Sequence, residues 1–229
     1  MIISKKNEVH LRVKTEPNYA RELSDFFTFE VPGARFMPTY KNRIWDGKIR
    51  LYSVASNEIY VGLLPYIEEF AKRNEIDIEY KEGVLNERKY ENNELDRFVG
   101  RVSPKSKGKT LQIRDYQMAA FTHAVRNDRS LLLSPTASGK SLIIYLLTRW
   151  YESDSVLILV PTTSLVEQMY SDFVDYGYDE KKMQRIYQGH SREITKQVVI
   201  STWQSLYKMP KKFFDNFGCI LGDEVHLFK

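Results

Sequence analysis

The sequence contains very little cysteine and no long apolar run. Cys219 is the single cysteine among 229 residues, which excludes a disulfide-stabilised scaffold and fits a reducing compartment. No stretch approaches the ~18 consecutive apolar residues of a membrane span, and Met1–Lys6 lacks the apolar segment of a signal peptide. We therefore expect a cytoplasmic protein with no membrane partner.

Composition and charge divide the chain into two halves. The hydrophobic content of 42% is enough for a sizeable core and excludes a disordered chain. Residues 1–100 carry 16 basic and 17 acidic side chains, whereas residues 101–229 carry 18 and 13. Between them, Gly100–Thr110 (GRVSPKSKGKT) has the composition of a linker. The predicted organisation is a small domain over 1–99, a basic linker over 100–110 and a second domain over 111–229.

Short apolar runs alternate with amphipathic stretches in the second half, which is typical of βαβ units. The predicted strands are Ser130–Ser134, Ser155–Val160, Val198–Ser201 and Cys219–Gly222. The predicted helices are Ser141–Tyr151, Ser164–Tyr176 and Trp203–Asn216, the last broken near Pro210. This order predicts an α/β domain with an open parallel sheet, and ligands of such sheets bind beyond the carboxyl ends of the strands.

The segment Ser134-Pro-Thr-Ala-Ser-Gly-Lys-Ser141 follows the first of these apolar runs and leads into an apolar helix. A triphosphate needs backbone N–H groups at a helix N-terminus, a glycine for close approach, a lysine for the β- and γ-oxygens and a hydroxyl for Mg²⁺. The residues predicted to bind ATP here are Thr136, Ala137, Ser138, Gly139, Lys140 and Ser141. Because Ser134 replaces the first glycine of the general pattern, an ordinary Gly-Lys-Ser helix start remains an alternative.

A second motif makes that alternative much weaker. Asp223 and Glu224 end the apolar run that begins at Cys219, where a carboxylate can hold the Mg²⁺ that bridges the phosphates. We assign Lys140 to the β- and γ-phosphates and Ser141 with Asp223 to Mg²⁺, partly through water. Glu224 is predicted to orient and deprotonate the attacking water.

With both motifs in place, the chain resembles the first motor domain of superfamily 2 helicases, with Asp223-Glu224-Val225-His226 as the DExH box. Segments resembling other helicase motifs occur in the expected order: Ile113–Gln117, Val160–Gln168 and Ile200–Ser205. The resemblance implies a RecA-like fold. It also implies that Gln117 reads the adenine edge, with Arg114 and Tyr116 nearby, and that His226 couples the nucleotide site to the nucleic-acid site.

The resemblance extends to the UvsW-type helicases of tailed bacteriophages, through Phe26–Glu30, Arg35–Pro38 and Trp45–Leu51. The segment Ser134–Ser141, the predicted phosphate loop, is similar to the variant loop of that family, in which the middle glycine of the usual helicase loop is also absent. The resemblance implies that the intact protein couples ATP hydrolysis to remodelling of branched or duplex DNA in the host cytoplasm. It further implies a second RecA-like domain beyond Lys229, without which the chain is expected to hydrolyse ATP poorly.

In the first half, Asp46-Gly47 lies between residues of strand character and predicts a hairpin over Tyr40–Leu51. Together with Pro17 and Leu63–Arg73, which indicate two helices, this predicts a small α+β unit. The cations Arg35, Lys41, Arg43, Lys48 and Arg50 are candidates for nucleic-acid binding, beside aromatic residues suited to stacking. A solvated hairpin whose aromatics face its own core is the alternative.

Further nucleic-acid contacts are predicted where strands of the motor domain end. Pro161, Thr162, Thr163, Thr202, Trp203 and Gln204 are expected to line the path of one strand. His123 and His190 have no partner at metal-ligand spacing, which favours structural roles for both. Two alternatives to the helicase remain: a nucleic-acid-binding module without ATP turnover, and a P-loop kinase acting on a small molecule.

Overall fold

The computed structural model describes residues 1–85, 90–127, 129–189 and 191–228. The chain forms two compact units, Met1–Glu87 and Arg88–Lys229. The division therefore comes earlier than the linker composition of Gly100–Thr110 predicts. No helix in the described ranges is both long and apolar enough to cross a membrane.

The first unit is built on a four-stranded sheet in the order β5-β2-β1-β6. Its elements are β1 (Ile2–Lys5), β2 (His10–Lys14), α1 (Pro17–Phe26), β3 (Thr28–Glu30), α2 (Pro38–Lys41), β4 (Lys48–Arg50), β5 (Glu58–Tyr60), α3 (Leu64–Arg73) and β6 (Glu79–Tyr80). Side chains alternate along β2, so that Leu11 and Val13 are buried beside Ile3 of β1. The predicted α+β class and both predicted helices of this half are confirmed.

The hairpin predicted over Tyr40–Leu51 is wrong. Tyr40 belongs to the short helix α2, which begins at Pro38, and β4 pairs with the distant strand β3. The Asp46 carboxylate explains the difference, since it accepts hydrogen bonds from the Lys48 amide at 3.1 Å and from the Arg50 guanidinium at 2.5 Å. Asp46 therefore fixes the entry to β4 and does not form the turn of a local hairpin.

The second unit contains an α/β fold. Its elements are α4 (Asn92–Val102), β7 (Lys105–Ser106), β8 (Lys109–Thr110), α5 (Asp115–Asn127), α6 (Lys140–Trp150), β9 (Val156–Val160), α7 (Thr163–Asp175), β10 (Met183–Ile186), β11 (Val198–Thr202), α8 (Trp203–Leu206), α9 (Lys211–Phe214) and β12 (Cys219–Gly222). The sheet β10-β11-β9-β12 is parallel throughout, with Thr202 beside Val160 and Gly222 beside Leu159. The carboxyl ends of β11, β9 and β12 therefore meet at one edge. The predicted α/β class with a parallel sheet is confirmed.

Both faces of the inner strands β9 and β11 are covered, which explains their continuous apolar sequences. Val156 and Ile158 face the core formed by α5, α6 and α7, whereas Leu157 packs with Leu206 and Phe213 on the opposite face. The break predicted near Pro210 separates α8 from α9.

The strand predicted over Ser130–Ser134 is not formed. Leu131 is 69% exposed and Leu133 is 91% exposed. A strand buried on both faces needs a hydrogen-bonded neighbour, and among the described residues β12 pairs only with β9. The segment before the phosphate loop thus runs as irregular backbone.

The linker predicted over 100–110 is instead part of the second unit. Leu95 of α4 is fully buried in the core with Phe121, so the helix that leads into this segment belongs to the second unit. The strands β7 and β8 form a small hairpin, and Ser106 donates to Asp175 of α7 at 2.7 Å. Sequence composition alone does not reveal these contacts.

Candidate nucleotide-binding site

The phosphate loop reaches α6 through a glycine that no other residue could replace without strain. Gly139 is the N-cap of α6 and has φ +81°, in the left-handed region. A Cβ atom at this position would lie 2.5 Å from Nε2 of Gln117. Backbone conformation and space both require glycine, which leaves the backbone of α6's first turn accessible to a ligand.

Two further positions show how this loop tolerates a non-standard sequence. Ala137 has φ +63°, a left-handed conformation that costs an L-residue ~1–2 kcal/mol. The hydroxyl groups of Ser134 and Ser138 are hydrogen-bonded at 2.5 Å, so Ser134 closes the loop at the position where the general pattern has a glycine. Thr136 is exposed in the same loop.

Lys140 of the predicted phosphate loop lies close to Asp223 and Glu224, which follow β12. Lys140 Nζ donates to Glu224 Oε1 at 2.5 Å, between side chains that are 26% and 30% exposed. This contact raises the pKa of Lys140 and lowers that of Glu224. Burial, followed by the neighbouring Glu224 charge, raises the pKa of Asp223. His226 Nδ1 lies 3.4 Å from Glu224 Oε2, so the predicted coupling residue contacts this pair.

The donor set fits Mg²⁺, which keeps several waters and takes few ligands from the protein. Asp223 is half-buried next to another carboxylate, and a cation there would offset the effects that raise its pKa. The Ser141 hydroxyl interacts with Asp172 of α7, where it partly opposes the effect of burial on the Asp172 pKa. No hydrogen bond joins Ser141 to Asp223 within the described ranges, nor do these contain a cluster of three metal-ligating side chains.

The predicted adenine element supports the phosphate loop directly. Gln117 is buried, its Oε1 accepts from the Arg114 amide at 3.0 Å, and its Nε2 donates to the Ser138 carbonyl at 3.1 Å. Tyr116 also donates to the Ser138 carbonyl, at 2.8 Å. Both ends of the Gln117 amide are thus engaged by protein, and its position is that of a support for the loop. Arg114 and Asp115 line a surface cavity of about 400 Å³.

The residues predicted to contact nucleic acid at the strand ends differ in solvent exposure. Thr162, Thr163 and Gln204 are exposed, and Gln204 Nε2 donates to the Pro161 carbonyl at 3.0 Å. The buried members of the set are Pro161 and Thr202.

Thr202 does not fit the predicted contact with a nucleic-acid strand. Its hydroxyl is hydrogen-bonded to that of Ser205 at 2.8 Å, and the residue is 4% exposed. Trp203 packs its ring against Tyr207 and Phe228, and its indole nitrogen is buried without a hydrogen-bond partner in the described part of the chain. These contacts favour a packing role for Trp203.

The predicted cations of the first unit are all exposed. They are Arg35, Lys41, Arg43, Lys48 and Arg50. Arg50 is paired with Asp46, and Lys48 lies 4.0 Å from Glu30. Phe36 and Ile44 are 80% and 76% exposed close to these cations in the sequence, which provides apolar surface beside positive charge.

Sequence analysis missed Asp172, which interacts with the Ser141 hydroxyl. An acidic residue on an amphipathic helix normally indicates a solvated face, so the sequence carries no signal for it. Of the two histidines predicted to be structural, His123 lies beside Asn127 on α5, with its Nδ1 atom 3.3 Å from the amide nitrogen. His190 lies outside the described residues.

Two family models match the chain. The model described as "Type III restriction enzyme, res subunit" matches residues 110–229, and that described as "DNA helicase UvsW, N-terminal" matches residues 3–81. The ATP-dependent DNA helicase uvsW of Enterobacteria phage T4 is 35% identical over 230 residues, which cover 95% of this chain and 45% of that protein. The DNA 3'-5' translocase XPB2 of Sulfurisphaera tokodaii is 25% identical over 117 residues, which cover 51% and 25%.

Solved structures give the same result over the whole chain. A crystal structure of the UvsW helicase from bacteriophage T4 superposes with a TM-score of 0.88 at 32% identity, covering 100% of this chain and 83% of that one. A second T4 UvsW crystal structure has the same TM-score and identity, with coverages of 98% and 47%. The chain spans less than half the length of the curated relatives it matches.

Proposed function

The chain belongs to the UvsW-like helicases, and from this premise we propose that it forms the nucleotide- and DNA-binding part of an ATP-dependent DNA helicase or translocase. The observation that carries the proposal is the contact of Lys140 with Glu224, beside Asp223, at the edge of the sheet where the strands end. A lysine at a phosphate loop and two carboxylates at one point are the groups that nucleoside triphosphate hydrolysis requires.

Each group has a separate role in the proposed reaction. The amides from Ser138 to Ser141 bind the phosphates at the start of α6, and the Lys140 ammonium binds the β- and γ-oxygens. For Lys140 to do so, its ion pair with Glu224 must open, which releases the carboxylate to orient water and accept its proton. A bound Mg²⁺, held by Asp223 and Ser141 with water, would supply positive charge to the phosphate oxygens.

The proposed partner is DNA, branched or duplex, with RNA also chemically compatible. The exposed cations of the first unit and the exposed Thr162, Thr163 and Gln204 support contacts to its phosphates. We also propose that a second RecA-like domain completes the nucleotide site, because an arginine finger contributes ~10³–10⁵ in rate. The chain by itself is then a poor ATPase. Its proposed location is the host cytoplasm.

The proposal is tested by ATP binding at equilibrium. Lys140→Ala is expected to abolish binding of a fluorescent ATP analogue with Mg²⁺, whereas Lys181→Ala, on an exposed turn, is expected to retain it. Unchanged affinity in Lys140→Ala would refute the phosphate-loop assignment. In the intact protein, stimulation of ATP hydrolysis by branched DNA distinguishes a motor from a nucleic-acid-binding module. Phosphate transfer to a small molecule without DNA would instead support a kinase.

A further inference from the structure

The segment after β11 carries an excess of positive charge. Lys208, Lys211 and Lys212 are exposed, and none of them forms an ion pair within the residues that the structure describes. The sequence from Val198 to Phe214 contains no acidic residue, and Asp215 follows it, so three lysines face one carboxylate (3 − 1 = +2). A local excess of cations in one stretch indicates an anionic partner.

The segment is held in place by its apolar side chains. Leu206 of α8 and Phe213 of α9 are buried against Leu157 and Val199 of the sheet. Because these two apolar side chains face the sheet, the exposed side chains of the segment point away from it. They include Tyr207 and the three lysines.

Tyr207 provides an exposed aromatic ring next to one of these cations, Lys208. Its side chain is 62% exposed, and its ring lies 6.1 Å from that of Trp203 at an angle of 65°. Lys208 Nζ lies 5.3 Å from the centre of the Tyr207 ring. A supported ring beside cations can stack on a base while the lysines neutralise the adjoining phosphates.

The residue types on this surface favour one class of anionic partner over the others. Lysine is depleted at protein–protein interfaces, which disfavours a protein partner for a patch with three lysines. In duplex DNA the bases stack on one another, so their faces are not available to a tyrosine ring. Unpaired bases have free faces, which favours a single strand.

We propose that Tyr207, Lys208, Lys211 and Lys212 form a binding surface for single-stranded nucleic acid. Tyr207 stacks on one base, and the lysines bind the phosphates on either side of it. In the sequence these residues follow Gln204, which lies just after β11. The proposal extends the strand path of the proposed function and rests on that function. The side chains involved do not belong to the nucleotide site.

The test measures binding of the full chain, without nucleotide, to a fluorescent oligo(dT) of about 15 nucleotides and to a duplex of equal length. Tyr207→Ala is expected to weaken single-strand binding by about tenfold and leave duplex binding unchanged, whereas Tyr207→Phe retains the affinity. Lys211→Ala and Lys212→Ala are each expected to reduce the slope of log K against log salt by about 0.7.

Matched controls separate this surface from general effects. Tyr66→Ala removes a tyrosine of similar exposure from α3, and Lys181→Ala removes an exposed cation from a different turn; neither is expected to change single-strand binding. Equal affinities for Tyr207→Ala and the unaltered chain, or equal losses for single strand and duplex, would overturn the stacking role. This measurement uses no nucleotide, so its outcome does not depend on whether the chain binds ATP.

Discussion

Lys140 and Glu224 lie 84 positions apart in the sequence, yet their side chains form an ion pair with an N–O distance of 2.5 Å. The pair neutralises both the residue proposed to bind phosphate and the residue proposed to activate water. The structure thus describes a resting arrangement in which neither group is free to act. Binding of a triphosphate must exchange one anionic partner of Lys140 for another.

Removing the charge of Glu224 should therefore strengthen ATP binding while it prevents turnover. Glu224→Gln is expected to bind ATP about two- to fivefold more tightly, because an ion pair near the surface contributes up to ~1 kcal/mol. Calorimetric titration of ATP with Mg²⁺ measures the affinity, and phosphate release by the intact protein measures turnover. Glu180→Gln, on an exposed turn, is the control. Weaker binding by Glu224→Gln would contradict the competition between carboxylate and phosphate.

Ala137 offers a direct test of strain in the phosphate loop. Ala137→Gly is expected to raise the free energy of unfolding by about 1 kcal/mol, because glycine adopts φ +63° without the steric cost that alanine incurs. Urea unfolding measures the change. Thr136→Gly is the matched control, since Thr136 has a negative φ and should lose stability on the same substitution. Parallel losses in both variants would show that no strain is stored at Ala137.

Gly139 and Gln117 should be energetically coupled. Gly139→Ala is expected to destabilise the protein and weaken ATP binding, since its Cβ would approach Gln117 Nε2 to 2.5 Å at a left-handed φ. Gln117→Ala removes the steric part of this cost but also the hydrogen bond to Ser138. A double-mutant cycle is expected to give a coupling of ~0.5–3 kcal/mol. Strict additivity would show that the two residues do not touch.

Cys219 should report unfolding through its reactivity. Burial, with a smaller effect of Asp154, raises the pKa of its thiol to about 12. The thiolate is the reactive form, so labelling at pH 8 is expected to be ~10³-fold slower in the folded chain than in denaturant. Because the folded pKa exceeds the unfolded one, the contribution to stability is complete below about pH 8 and is lost as the pH rises toward 12. Similar labelling rates in folded and denatured protein would contradict this burial.

The parts of the fold that sequence predicted well depend on local patterns. The apolar runs at Val156–Val160 and Cys219–Gly222 form strands, of which the first is buried on both faces, and the Gly-Lys-Ser sequence begins α6. The acidic pair lies beside Lys140 because parallel strands place their carboxyl ends at one edge.

The wrong predictions concern features that depend on distant residues. Ser130–Ser134 has the sequence of a buried strand, but no neighbouring strand pairs with it in the described residues. The strand β10 (Met183–Ile186) was missed because Gln184 and Arg185 interrupt its apolar run, although the sheet orders it beside β11. The support of the phosphate loop by Gln117 arises from tertiary packing across 21 positions, which no local pattern encodes.

The hydrogen bond from Gln204 to the Pro161 carbonyl joins the segments that follow the adjacent strands β11 and β9. It links the starts of two helices, because Pro161 lies just before Thr162, the N-cap of α7, and Gln204 lies in the first turn of α8. A polynucleotide bound at either segment would therefore act on both helices at once. In the proposed movement along a strand, the two segments should shift together.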